Sequence, residues 1–177
     1  MFVKISVFHI IRDHFSTLRV YRGGNGKKLS VSKRDVFLFY VVPMFVAIAT
    51  YFWGNLSLGD EVISILITSL SIFAALLFNL LILIYDIITK REHSKRMTEF
   101  LKEIYANVSY SVLISVLSVV AILGGLFHFS AKWVVISINL IGFYLVTHFI
   151  LTLFMILKRT HALLAAEMRE RNHRTGA

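Results

Sequence analysis

Two side chains stand where chemistry would be unusual: Asp86 at the end of a long apolar run and His148 inside another. A carboxylate there attracts cations, and an imidazole there can relay a proton or gate a passage. Neither has the company that catalysis needs. The seven histidines, at 9, 14, 93, 128, 148, 161 and 173, form no His-x-x-x-His pair on a span, and no carboxylate lies one turn from His148. That spacing predicts no metal site. Cysteine is absent, which excludes disulfides and thiol chemistry. One acid, one distant histidine and no nucleophile motif predict a protein that is not an enzyme and carries no cofactor.

The hydroxyls and amides are more ordered than the ionisable groups. From Val62 to Asp86 the sequence VISILITSLSIFAALLFNLLILIYD has no charge before its last residue. About 20 apolar residues suffice for a helix to cross a bilayer, so this is a long membrane span. Ser64, Thr68, Ser71, Ala75, Asn79 and Asp86 follow steps of three and four or their sums, which places them on one helical face. A mid-span Asn and a terminal Asp need protein or water beside them, so the stripe is a helix-contact surface or the lining of a wet passage. A second stripe, Ser111, Ser115, Ser118 and Gly125, marks another apolar run, where the simplest reading is close helix packing. His148 falls in register with Ser137, Tyr144 and Thr152 on the last run and is expected to face inward.

The elements that must hold these stripes follow from hydropathy and charge. Four apolar runs lie at about 36–53, 62–88, 108–127 and 133–157. Of the 19 Lys and Arg residues, all but Lys132 fall in residues 1–35, 86–107 and 158–177, whereas the first turn, GNLSLGDE, carries only Asp60 and Glu61. By the positive-inside rule the three basic segments share the cytoplasmic side. The expected fold is therefore an all-α, four-span membrane bundle with both termini inside, a multi-pass protein of a bacterial inner membrane. Its parts are a basic arm (1–31), the transmembrane region (32–157) and a basic tail (158–177) that begins as a continuation of the last span. Pro43 in the first span predicts a kink. The 86–107 segment contains no Gly or Pro and reads as helical extension of its flanking spans.

The arm begins MFVKISVFHIIRDHF, too interrupted by charge for a secretory signal. Residues 3–21 place Ile5, Phe8, Ile11, Phe15 and Leu18 on one face, an amphipathic helix suited to the inner leaflet or to packing on other cytoplasmic segments. Next, LRVYRGGNGKKLSV predicts a tight hairpin around Gly23, Gly24, Asn25 and Gly26. Arg19, Arg22, Lys27 and Lys28 surround its tip, which reads as a solvated turn or as a contact for an anion such as a phosphate. It is not a phosphate-binding P-loop, because Gly26-Lys27 is followed by Lys28 rather than Ser or Thr. Ser32 heads a Ser-x-x-Asp capping pattern at the first span.

A lone four-span chain does not surround a pore, but a homo-oligomer can. Copies around an axis would bring Ser64, Thr68, Ser71 and Asn79, or Ser111, Ser115 and Ser118, to the centre, with Asp86 as a ring at the cytoplasmic mouth and His148 as a gating group. A polyanion on the basic face would then plug the entrance through salt-dependent phosphate contacts.

In layout, this small, four-span, cytoplasmically basic chain without a catalytic motif resembles the membrane effectors of bacterial anti-phage defence, the Hailong type first and the Kiwa type second. The resemblance to the Hailong type implies an oligomeric channel held shut by DNA oligomers that a partner nucleotidyltransferase makes. It implies for this chain an ion channel or pore-forming effector whose basic face, including Arg19, Arg22, Lys27 and Lys28, holds a short DNA, a nucleotide or a cytoplasmic regulatory protein. The alternative is a non-conducting scaffold in the lipid bilayer that recruits a soluble partner through its basic arm and tail.

Overall fold

The computed structural model describes residues 7–17, 19–21, 29–31, 37–54, 59–90, 95–125, 127 and 131–175 of the 177. Among the described residues the chain is all-α apart from one pair of three-residue strands. Helix α1 (Val7–Thr17) leads into strands β1 (Arg19–Tyr21) and β2 (Leu29–Val31), then α2 (Val42–Gly54), α3 (Asp60–Lys90), α4 (Lys95–Gly124) and α5 (Lys132–Thr175). Strands β1 and β2 pair antiparallel with Arg19 opposite Val31, as the glycine-centred turn predicts. The tip with Arg22, Lys27 and Lys28, and the capping pattern at Ser32, lie outside the described residues.

Among the described residues three helices are long and apolar enough to cross a membrane: Glu61–Lys90, Met97–Gly124 and Lys132–His161. A shorter apolar helix runs over Phe37–Phe52. The arrangement is centred on α4, which packs against α3, α5 and α1, while α2 packs on α5. Within its apolar window α4 is 44% buried inside the chain and α3 only 11%, so α3 is the outer member.

Sequence periodicity explains the α3–α4 seam. Buried residues Ile63, Leu70, Leu77 and Ile84 repeat every seven positions along α3. On α4, Leu101, Ile104, Val108, Ser111, Ser115, Ser118 and Ile122 alternate steps of three and four without a break, and all are buried. A seven-residue repeat of this type is what keeps one narrow face of a helix against its neighbours. Serines at three successive seam positions let the two backbones come close where leucines would hold them apart. At the end of α4, Gly125 N–H closes onto the Ile122 carbonyl at 2.9 Å. A Cβ on Gly125 would stand 3.1 Å from that oxygen and 3.4 Å from Ile138 of α5, so glycine permits the turn to fold tightly against α5.

Ahead of Pro43 the helix changes type. Residues Phe37–Val41 form a π-helical turn ahead of α2. Proline has no N–H, so the Phe39 carbonyl one turn earlier loses the donor it would meet in a regular α-helix. The tail departs from expectation in extent: α5 continues unbroken to Thr175, well past the apolar run.

Helix α1 docks on α4 through a face other than the one its apolar pattern suggests. His14 is fully buried and Ile10 and Ile11 pack on the core, whereas Phe8 is 74% exposed. The buried face is rotated by roughly a third of a turn from the Ile5, Phe8, Ile11, Phe15, Leu18 face. Polar partners for His14 on α4 explain the rotation.

Candidate functional site

Two polar surfaces emerge, one outside the bundle and one inside. The outer one is the α3 stripe. Ser64, Thr68, Ser71, Ala75 and Asn79 are all exposed, because they lie on the face turned away from the Ile63, Leu70, Leu77, Ile84 seam. Thr68 folds its hydroxyl back onto the Ser64 carbonyl at 2.8 Å, which satisfies it within the helix. Asn79 has no such recourse, and its amide makes no hydrogen bond among the described residues. Asp86, half-exposed, pairs with Lys90 one turn on at 2.7 Å.

The α4 stripe is placed differently. Ser111, Ser115 and Ser118 have no exposed surface, and Ser115 and Ser118 donate to the Val112 and Ile114 carbonyls of their own helix at 2.7 Å. They are enclosed within the bundle, with no surface to offer a second copy.

The inner surface is a column of polar rings that joins four elements. His148 of α5 is buried, and its Nδ1 donates to the Phe39 carbonyl at 2.7 Å. This is the carbonyl that Pro43 deprives of its helical partner, so α5 supplies the missing donor. Because Nδ1 carries the proton, Nε2 accepts, and Tyr110 of α4 donates its hydroxyl there at 2.9 Å. Tyr144 lies parallel to the His148 ring at 5.9 Å, and Tyr40 approaches it at 5.3 Å.

From Tyr110 the column continues to α1. The His14 ring stacks on Tyr110 with centroids 3.8 Å apart and planes within 6°. His14 Nδ1 donates to Asn107 Oδ1 at 2.9 Å. The Thr17 hydroxyl lies 2.7 Å from the His14 carbonyl oxygen and 2.9 Å from Asn107 Oδ1. Arg159 of α5 completes the dock: it donates to the Thr17 carbonyl, an unpaired acceptor at the end of α1, at 2.7 Å, and to Glu103 at 3.0 Å. Burial, the largest influence, pushes the His14 pKa down from 6.5 to about 4; the Asn107 bond opposes this, and the neighbouring His148 and the Arg159 guanidinium reinforce it. Three buried polar atoms around the column, His14 Nε2, Asn107 Nδ2 and Ser111 Oγ, have no hydrogen-bond partner among the described residues.

The inward placement expected for His148 is what the structure shows, but its partners were not apparent from spacing. Asn107 reads in the sequence as the head of an Asn-x-Ser string, and His14 only as one of seven histidines without a metal-binding spacing. The available signal was that Asn107 and Tyr110 sit one turn apart on one face of the helix. Of the basic candidates, the backbone of Arg19 lies in β1, and Arg22, Lys27 and Lys28 lie outside the described residues. No group of three or more metal-ligating side chains occurs among the described residues.

Comparison with protein-family models, curated proteins and solved structures finds no match to this chain.

Proposed function

We propose that copies of this chain assemble through the outer face of α3 into an ion channel or pore-forming effector of a bacterial inner membrane. Its place is in anti-phage defence, and an anionic nucleotide or oligonucleotide, or a partner protein, restrains it from the cytoplasmic side. The observation that carries the reading is Asn79, an amide within the uncharged run 62–85 of α3, exposed and without a hydrogen-bond partner among the described residues. Hydrocarbon cannot satisfy it, whereas a neighbouring subunit or water at an axis can. Ser64, Thr68 and Ser71 extend the same face, and Asp86 ends it.

Four crossings with both termini inside are supported by charge and by connectivity. From Phe39, which sits beside His148 and Met155, α2 has to reach the start of α3 at the bundle end opposite the one where α3 ends and α4 begins. The 18 residues of Phe37–Gly54 rise about 27 Å, short of a 30 Å core by an amount that local thinning absorbs.

Reconstituted into anionic liposomes, the chain is expected to pass cations, and expression alone is expected to depolarise cells. Asn79→Leu and Asp86→Ala should change conductance with membrane insertion intact. Electrically silent bilayers from correctly inserted protein would overturn conduction. The Ser111, Ser115, Ser118 seam, spent wholly on packing, favours in that event the second reading, a scaffold that recruits a soluble partner through residues 1–31.

A further inference from the structure

We infer that α1 is a proton-released latch: acidification on the cytoplasmic side undocks it from α4 and frees the basic arm that follows. The geometry at His14 carries this. The ring is fully buried between α1 and α4, stacked on Tyr110, with one nitrogen committed to Asn107 and the other, Nε2, facing no acceptor among the described residues. A neutral imidazole fits that setting. An imidazolium would bury a second N–H and a positive charge with nothing to receive either.

The charged and titratable groups around the ring offer no relief. From α4 these are Tyr110 and Glu103, and Glu103 is already engaged by Arg159. From α5 they are His148 and Arg159, the latter a permanent cation bound to the end of α1 itself. From the turn ahead of α2 comes Tyr40, stacked on the neighbouring Phe15 at 5.7 Å. On α1 itself Arg12 and Asp13 are exposed. The other contacts that hold α1, Thr17 to Asn107 and Arg159 to the Thr17 carbonyl, depend on the same seating, so one protonation opposes the whole dock.

A histidine that must be neutral when docked and titrates near 6.5 when free makes docking complete above pH 6.5. Docking weakens as pH falls toward the docked value of about 4. The docking equilibrium loses up to about tenfold per pH unit in that window, so a fall from pH 6.5 to 5.5 already matters to a marginally docked helix. Because β1 begins two residues after α1 ends, release of α1 also releases the hairpin.

The test uses the full chain in nanodiscs. The sequence has no native cysteine, so spin labels at His9→Cys on α1 and Lys102→Cys on α4, both exposed positions, report docking as a distance. One short distance is expected at pH 7.5, giving way to a broad longer population as pH falls from 6.5 to 4.5. His14→Gln, which cannot charge, should abolish the pH dependence. Should that variant fail to dock at any pH, Asn107→Asp decides: a carboxylate facing Nδ1 stabilises the imidazolium and should hold α1 docked at least one pH unit lower. A distance that does not respond to pH in the wild type overturns the latch. So does an identical pH response in His14→Gln, which would assign the titration to another histidine, or release at unchanged pH in Asn107→Asp.

Discussion

At the scale of single residues, the bond between His148 and the Phe39 carbonyl shows how a defect in one helix becomes a fastener to another. Proline at 43 leaves that carbonyl without its helical donor, and an unpaired buried carbonyl costs about 1–3 kcal/mol. His148 Nδ1 fills the gap at 2.7 Å, and its other nitrogen is held by Tyr110 at 2.9 Å. His148→Ala is therefore expected to destabilise the folded chain by about 2–4 kcal/mol, because it strips two buried groups of their partner. Pro43→Ala restores an N–H one turn after Phe39. In that background the same His148→Ala substitution should cost about 1 kcal/mol less. Thermal unfolding of the four variants in one detergent measures the coupling, and strict additivity would show that the Phe39 carbonyl does not depend on the missing proline donor.

At the scale of elements, the α3–α4 seam makes a sharper prediction than its hydropathy. Ser115 sits fully buried at a seam position where α4 alternates steps of three and four. Ser115→Leu inserts three extra carbon atoms' worth of branching into a close-packed face and should cost about 1–3 kcal/mol, whereas Ser115→Ala should change stability little, since its hydroxyl bonds only to its own helix. Urea unfolding or thermal melts of the two variants check this. The contrast also shows what the sequence could reveal. The apolar runs and the small-polar stripes were legible, because hydropathy and periodicity are local properties of a helix. Two stripes of small polar residues with the same spacing, Ser64 to Asn79 and Ser111 to Ser118, were not distinguishable. One proved to be exterior and the other interior because α4, not α3, is the helix the others surround. The face of α1 was not legible either: its three phenylalanine and isoleucine turns advertise a lipid-facing stripe, while a single histidine with partners 93 and 96 positions away decides how it docks.

At the scale of the whole molecule, these two stripes make opposite predictions about assembly. If copies meet through the outer face of α3, a cysteine there should face its counterpart, or lie within a few ångströms of it, across an interface. A cysteine on the α4 stripe should meet only its own chain. The protein contains no cysteine, so single substitutions report cleanly. Ser71→Cys, on an exposed position of α3, is expected to yield disulfide-linked dimers when native membranes are treated with a mild oxidant, and Asn79→Cys to do the same two turns deeper. Ser115→Cys, with no exposed surface, should stay monomeric under identical treatment. Membranes are the required setting, because detergent can compete for the α3 face and dissolve an assembly that lipid would leave intact. Cross-linking at Ser71 together with silence at Ser115 would place the axis, or at least the contact, along α3. The converse result, or equal cross-linking at both, would mean that the exposed amide of Asn79 is satisfied by something other than a second copy of this chain.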